Sequence, residues 1–573
     1  MKKKHRNPFI SRLLAMCLAA VMMLSMGITA SAALTAGQKG SFTVSGFDTT
    51  DPAPTVTAYQ IIKVNIDAAT NQPEYPMYTW AGPVADWLDR NENETYKNYV
   101  DDDLGSNAVA DVFKKAQAVD MTKFLEELAA AIKTDTAAFG SLNKKDASVS
   151  NGVASFQDMP LGVYLIVASG GVKIYQPTTV KLVPEYDSVN KTWNVGTAVV
   201  GDGKAESNVK SSEPQIKKSV FEINDIVSTD HTVAVGDTVT FKLEADVPVY
   251  PEGATNKTFI ISDTVGKGLA YQPGTVKVYS DSDCTNTIDL KWYTTTQTNA
   301  TVPAPPNTTR TFAIKFNDGF FKEHPAYTKV YVTYDAKVTS DAFENDPSGE
   351  MHNDAYLGYS NDPYDANSYT EVNDKKKLYT YAINLTKVDT NGKDITNNTA
   401  TFELKSGENT LYFTGNNGVY THAPVNKPGA TTTLTTSSTA GTLTIQGLDT
   451  GTYTLTETKA PDGYVLPNGS IVIEIEDANK SGDPDGKIDT EKGENVEALG
   501  GAEIYVGEDA TNAGVEIDGT TISFNVVNKT AKEGLFNLPV TGGAGTVIFT
   551  MAGILLMGGA VALLVVVLRR KRS

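Results

Sequence analysis

Apolar residues in the body of this chain come in short runs rich in Val, Thr, Tyr and Ile, and each run is soon cut off by turn residues. Asn391-Gly392, Asp462-Gly463 and Pro273-Gly274 are such turns. Short alternating runs bounded in this way form strands, so the body is predicted to be all-β. Helical spacing is clear only from about Val109 to Lys133. Two polar stretches, residues 201–213 and 361–377, separate three parts of about 165 to 180 residues each. That is near the usual size for one core, so each part is expected to be a β-sandwich.

The two ends set where this body lives. Lys2, Lys3, Lys4, Arg6 and Arg12 flank an apolar stretch from Leu13 to Ile28, and Ala30-Ser31-Ala32 offers small residues for cleavage between Ala32 and Ala33. At the other end Thr546 to Leu568 carries no charge. As a helix it spans about 34 Å, enough to cross a bilayer. Arg569-Arg570-Lys571-Arg572 behind it resists translocation, so the bulk of the chain is expected outside the cell. The parts are then 1–32, a signal peptide; 33–210, 211–375 and 376–537, three domains; and 538–573, a C-terminal sorting segment. The ends carry nine basic residues and no acid; removing them from a chain of net charge −19 leaves about −28 on the exported part. So much negative charge argues against nucleic acid or anionic lipid as a partner. Cys17 leaves with the signal and Cys284 is alone in the exported chain, so its domains need a stabiliser other than an internal disulfide.

Strand alternation sends polar residues into the expected cores. In Tyr381 to Asp389 it puts Lys387 on the face of Ile383 and Leu385; in Tyr453-Thr454-Leu455-Thr456-Glu457 it puts Glu457 with Tyr453 and Leu455. In Ile522 to Asn528 it puts Asn528 with Ile522, Phe524 and Val526. An amine, a carboxyl and a carboxamide in one apolar core are costly unless paired. Burial lowers a lysine pKa and raises a glutamate pKa, so a neutral amine can sit beside a neutral acid. Such an amine can attack the Asn528 carbonyl while Glu457 relays protons, releasing ammonia and leaving a Lys–Asn amide. In the middle domain Lys218 is in phase with Ile216 and Val220, and Asn353 with Met351, Ala355 and Leu357. The acid there stays open on phase: Asp237 aligns with Val239, Phe241 and Leu243, whereas Asp246 turns inward only if a bulge forms near Pro248.

Leu538-Pro539-Val540-Thr541-Gly542, standing before the apolar span and basic tail, resembles the LPxTG sorting signal of Gram-positive surface proteins. The resemblance implies a sortase whose cysteine attacks the Thr541–Gly542 bond. Tyr453 to Tyr464 is similar to the "E box" of collagen-adhesin B-type pilin domains, which assigns Glu457 as the catalytic residue for a Lys387–Asn528 bond. The Lys218, Asn353 and Val235-to-Pro248 segments resemble the isopeptide-forming fimbrial domain of backbone pilins, and that likeness favours Asp246 as its acid. The family implies three tandem Ig-like sandwiches of collagen-adhesin A/B type. In the first domain Gly162 and Tyr164 align with Gly451 and Tyr453, which puts Ala168 at the position of Glu457, so no such bond is expected there.

Polymerisation in this family needs a lysine to attack the acyl-sortase. The Tyr-Pro-Lys-Asn motif that often carries it is absent; Lys210 is the candidate, with Lys204 behind it. The implied role is a major pilin supporting adhesion and colonisation, with no cofactor and no enzymatic turnover. The implied partners are pilus and housekeeping sortases, other copies of the chain, tip and base pilins, peptidoglycan and a host ligand. A singly anchored adhesin is the alternative. A wall hydrolase is disfavoured, because five His, one of them His5 in the signal, give no Ser/His/Asp set and no metal-ligand spacing.

Overall fold

The computed structural model describes residues 32–530 except 50–51, 106, 196–197, 201–208, 305–306, 344–347, 480–484, 491–494 and 507–513. The signal peptide up to Ser31, Lys204, the Leu538-to-Gly542 motif and the apolar span therefore lie outside the described residues. Strands dominate throughout, in successive layered units.

The first unit is built on a sheet in which Thr55–Asp67 pairs with Gly162–Ser169, and Lys39–Ser45 pairs with Val153–Pro160. Helical spacing near residue 110 yields two helices, Asp111–Lys114 and Ala118–Thr134. The longer one buries Phe124, Leu125 and Leu128 against Trp80, Trp87 and Tyr99. Further helical turns at Gly82–Leu88 and Asn91–Tyr99 complete this core, and alternation gave no sign of them. Ala32 and Ala33, either side of the expected cleavage point, pair with Val195 and Asn194.

The middle unit is a sandwich of two sheets. In one, Ile216–Ile223, Thr238–Asp246 and Lys329–Val338 lie side by side; in the other, Phe259–Val265, Glu350–Tyr359 and Thr370–Tyr379 do. Thr238–Asp246 alternates strictly between its faces, with Val239, Phe241, Leu243 and Ala245 fully buried. The strand Thr370–Tyr379 runs through the polar stretch that reads as a linker and past residue 375. Its charged side chains suit it to the sheet edge, where Lys discourages pairing with another chain. Only Thr380 separates it from Tyr381–Val388, the first strand of the C-terminal unit.

In that unit Tyr381–Val388 is flanked by Thr442–Leu448 and, in parallel, by Thr521–Val527, while Thr401–Ser406, Gly451–Lys459 and Gly469–Ile475 form the facing sheet. Tyr453 donates from its hydroxyl to Asp449 O at 2.7 Å, and Tyr164 in the first unit donates to Pro160 O at 2.5 Å. The same four-residue tyrosine corner in both strands supports their alignment.

Candidate functional site

Two constellations of buried polar residues stand out. In the C-terminal unit Lys387 lies near the end of Tyr381–Val388, and Asn528 lies just past Thr521–Val527, its parallel neighbour. Glu457 faces them from Gly451–Lys459 in the opposite sheet. The Lys387 and Glu457 side chains are 1 % and 2 % exposed, and Nζ is 3.0 Å from Oε2. Asn528 is as deeply buried, its side-chain nitrogen donating to Val465 O at 3.1 Å. Burial pushes the Lys387 amine down to about 8 and the Glu457 carboxyl up, each opposed by its partner's charge. Neither Glu457 Oε1 nor Asn528 Oδ1 has a hydrogen-bond partner. The pair is poised for a neutral amine and a neutral acid beside a carboxamide.

The middle unit repeats the arrangement with different parts. Lys218 and Asn353 are buried on opposite sheets, as their phases require. The acid beside Lys218 is Asp263, on Phe259–Val265: Nζ to Oδ2 is 2.5 Å, and both side chains are fully buried. Burial pushes Asp263 up to about 6 and drives the Lys218 amine down. The two expected acids are elsewhere. Thr238–Asp246 stays in register through Asp246 opposite Lys329, with no bulge, so Asp246 points outward and binds Lys329 Nζ at 2.8 Å. Asp237 precedes the strand and accepts from Ala234 N at 2.8 Å and from the Asn224 side chain at 2.8 Å. Alternation does reach Asp263, in phase with Phe259 and Ile261. Tyr334 also belongs to the site, its hydroxyl 2.6 Å from Lys218 Nζ and 2.9 Å from Asn353 Nδ2. It shares the inward phase of Val330, Val332 and Ala336.

The first unit has no counterpart among its described residues: Ala168 is buried where Glu457 stands in the C-terminal strand, and no lysine of residues 32–195 is buried. Lys210 is exposed, yet its backbone is held, with Gln176 N donating to Lys210 O at 2.9 Å. Ser211 and Ser212 then pair with Tyr175 and Ile174. The Lys210 charge acts on Glu126, whose Oε2 accepts from Glu252 N at 2.7 Å. No cluster of His, Cys, Asp and Glu among the described residues has the makings of a metal site.

Residues 532–573 match the family described as LPXTG cell wall anchor motif, and residues 381–487 match the SpaA prealbumin-like fold domain. The second match begins at Tyr381, where the C-terminal unit's first strand begins. The trypsin-resistant surface T6 protein of Streptococcus pyogenes serotype M6 is 25 % identical over 478 residues, covering 73 % of this chain and 81 % of that one. The solved structure of the T6 backbone pilin, described as modular and three-domain, superposes with a TM-score of 0.51 at 17 % identity, over 87 % of this chain and 99 % of that one. The chain is an LPXTG wall-anchored surface protein with the backbone-pilin fold. In this pilin fold the two buried constellations occupy the middle and C-terminal units, one to each.

Proposed function

We propose that this pilin is the repeating subunit of a covalent pilus on a Gram-positive cell, with a Lys–Asn amide closed inside each of its last two domains. The observation that carries the reading is the pairing of a buried lysine with a buried acid beside a buried asparagine, twice, in a chain that ends in a wall anchor. The domains are 33–210, 211–380 and 381–537, the boundary expected after residue 375 moving to Thr380 to keep the strand Thr370–Tyr379 whole.

In the C-terminal domain the Lys387 amine attacks Asn528 Cγ. The Nζ–Cγ bond forms, the Cγ–Nδ2 bond breaks, and Glu457 carries the proton from the attacking nitrogen to the departing ammonia. In the middle domain Lys218, Asn353 and Asp263 do the same. The product amide cannot ionise, so the reaction ends the cost of burying a titratable lysine.

Assembly uses the other end. Sortase cleaves after Thr541, and the Lys210 amine of the next subunit takes the acyl group, with Lys204 the second candidate. Further copies extend the fibre, tip and base pilins complete it, and a housekeeping sortase transfers it to peptidoglycan, where it supports adhesion and colonisation of a host. Because the Tyr-Pro-Lys-Asn motif is missing, a singly anchored adhesin is the competing reading. Immunoblots of wall extracts separate them. Lys210→Arg keeps the charge and removes the nucleophile, so the high-mass ladder is expected to vanish while anchored monomer persists. A ladder lost only in Lys204→Arg moves the assignment by one lysine; a ladder that survives in the double variant puts the nucleophile elsewhere. Wild type with monomer alone supports the adhesin.

A further inference from the structure

The two buried sites solve the same proton problem with acids of different reach. In the C-terminal site Glu457 faces both the Lys387 amine and the Asn528 side chain. In the middle site the shorter Asp263 bonds the Lys218 amine through Oδ2, while its Oδ1 and the Asn353 Oδ1 have no hydrogen-bond partner. The side-chain nitrogen of Asn353, which must leave with an added proton, is bonded to the Tyr334 hydroxyl at 2.9 Å. That same hydroxyl lies 2.6 Å from Lys218 Nζ, and it also faces Asp263. Tyr334 thus bonds both the entering and the leaving nitrogen and lies beside the acid. Among the described residues no tyrosine hydroxyl bonds Lys387, Glu457 or Asn528; the aromatic neighbour of Lys387 is Phe402, its ring centroid 5.6 Å from Nζ.

We propose that Tyr334 is a catalytic residue of the Lys218–Asn353 reaction, relaying a proton from Asp263 to the departing nitrogen of Asn353. The inference rests on the reading that this bond forms. The reaction starts from a neutral amine and a protonated Asp263. Nζ attacks Cγ and the carbonyl oxygen takes up the electron pair. Tyr334 gives its hydroxyl proton to Nδ2 and receives one from Asp263, and Asp263 then takes the surplus proton from Nζ. The Cγ–Nδ2 bond breaks, and its electron pair leaves with ammonia. Tyrosine and aspartic acid end as they began, and Lys218 is joined to Asn353 by an amide. Burial holds the Tyr334 hydroxyl well above its ordinary range, so it keeps a proton to give. Its ring is fixed between Phe241 and Phe312, at centroid distances of 5.5 and 4.8 Å, which holds the oxygen between the two nitrogens.

The test follows the two bonds in the same molecules. The full chain is expressed in its secreting host under a pulse of isotope label, then denatured and digested at intervals. The Lys218–Asn353 and Lys387–Asn528 linked peptides are quantified by mass spectrometry. In Tyr334→Phe the first link is expected to appear about 10²-fold more slowly, the typical weight of a positioned acid–base group, while the second keeps its wild-type rate. Incorporation of 3-fluorotyrosine at position 334 restores a hydroxyl in nearly the same shape, and the first link is expected to return to within a few-fold of the wild-type rate. A wild-type rate in Tyr334→Phe overturns the relay. So does a fluorotyrosine chain as slow as Tyr334→Phe, since the ring would then act by packing alone. A wild-type chain with no Lys218–Asn353 link contradicts the bond itself rather than the part played by Tyr334.

Discussion

Lys218 and Lys387 are almost wholly buried, and a buried ammonium is tolerated only against a partner that returns most of its lost hydration. Asp263 and Glu457 are those partners, and each is itself pushed toward its neutral form by the same burial. A chain with both amides closed has shed two molecules of ammonia, so intact-mass measurement is expected to find it about 34 Da below its sequence mass. Glu457→Ala is expected to restore about 17 Da, and Asp263→Ala the other 17 Da. Asp246→Ala and Asp237→Ala are expected to leave the mass deficit whole, since one acid binds Lys329 on the surface and the other closes a turn. Alternation alone reached Lys218, Lys387, Glu457, Asn353 and Asn528, because each stands in strict phase with two or more apolar neighbours. The middle acid escaped for a different reason. A family likeness drew attention to the strand Thr238–Asp246, whose outward residue Asp246 could enter the core only through a bulge the strand does not have. Asp263 sat in plain alternation two residues beyond Ile261. Tyr334 escaped because an inward tyrosine in a strand is ordinarily read as core.

At the scale of strands, the lysines stand on opening strands of their sheets and the asparagines on or just past late ones. In one middle sheet Ile216–Ile223 is covered on its outer side only at Glu222 and Ile223, by Ile226–Val227, and Asp374 accepts from Lys218 N at 2.8 Å across to the other sheet's edge strand. A Lys218–Asn353 amide closes a loop of about 135 residues, which the chain-entropy treatment of cross-links values at about 5 kcal/mol if it transfers from disulfides. Lys218→Ala is therefore expected to lower the melting temperature of the middle domain and open it to limited proteolysis. The first domain should keep its own melting transition, because its described residues contain no such link. Equal protease resistance in variant and wild type would mean that Lys218 adds only packing. The edge strand Thr370–Tyr379 was unreadable as a strand because its side chains serve solvent rather than core. Asp374, Lys375, Lys376 and Lys377 in succession have the composition of a linker, and only pairing with Glu350–Tyr359 reveals the ladder. The turns at Gly82–Leu88 and Asn91–Tyr99 were missed because the aromatic core they cover is assembled from distant segments.

Across the whole molecule the units meet through backbone and side-chain hydrogen bonds. Val235 N donates to Gly447 O at 3.0 Å and the Thr232 and Thr450 hydroxyls are 3.2 Å apart, joining the middle and C-terminal units. Tyr359 donates to Val172 O at 2.5 Å and Lys133 pairs with Asp362 at 3.3 Å, joining the middle unit to the first. At the former junction burial pushes the Asp449 carboxyl up to about 6, with the charges of Asp230 and Asp237 adding to the rise. A carboxyl raised in the folded state stabilises while protonated, so its contribution is full below its unfolded value near 4 and is lost as pH rises through about 6. Asp449→Asn is expected to raise the melting temperature of this pair of units by about 2–4 °C at pH 7.5 and to give no gain at pH 4. Calorimetry at the two pH values checks the sign; a variant less stable at both would show that the carboxylate is favoured there. The central claim, that copies of this chain are joined through Thr541 and Lys210, is tested most directly by digesting high-mass wall extracts and sequencing branched peptides by tandem mass spectrometry. The account predicts a peptide ending in Leu538-Pro539-Val540-Thr541 joined by an amide to Nζ of Lys210. Recovery of Thr541 joined only to peptidoglycan fragments would contradict it.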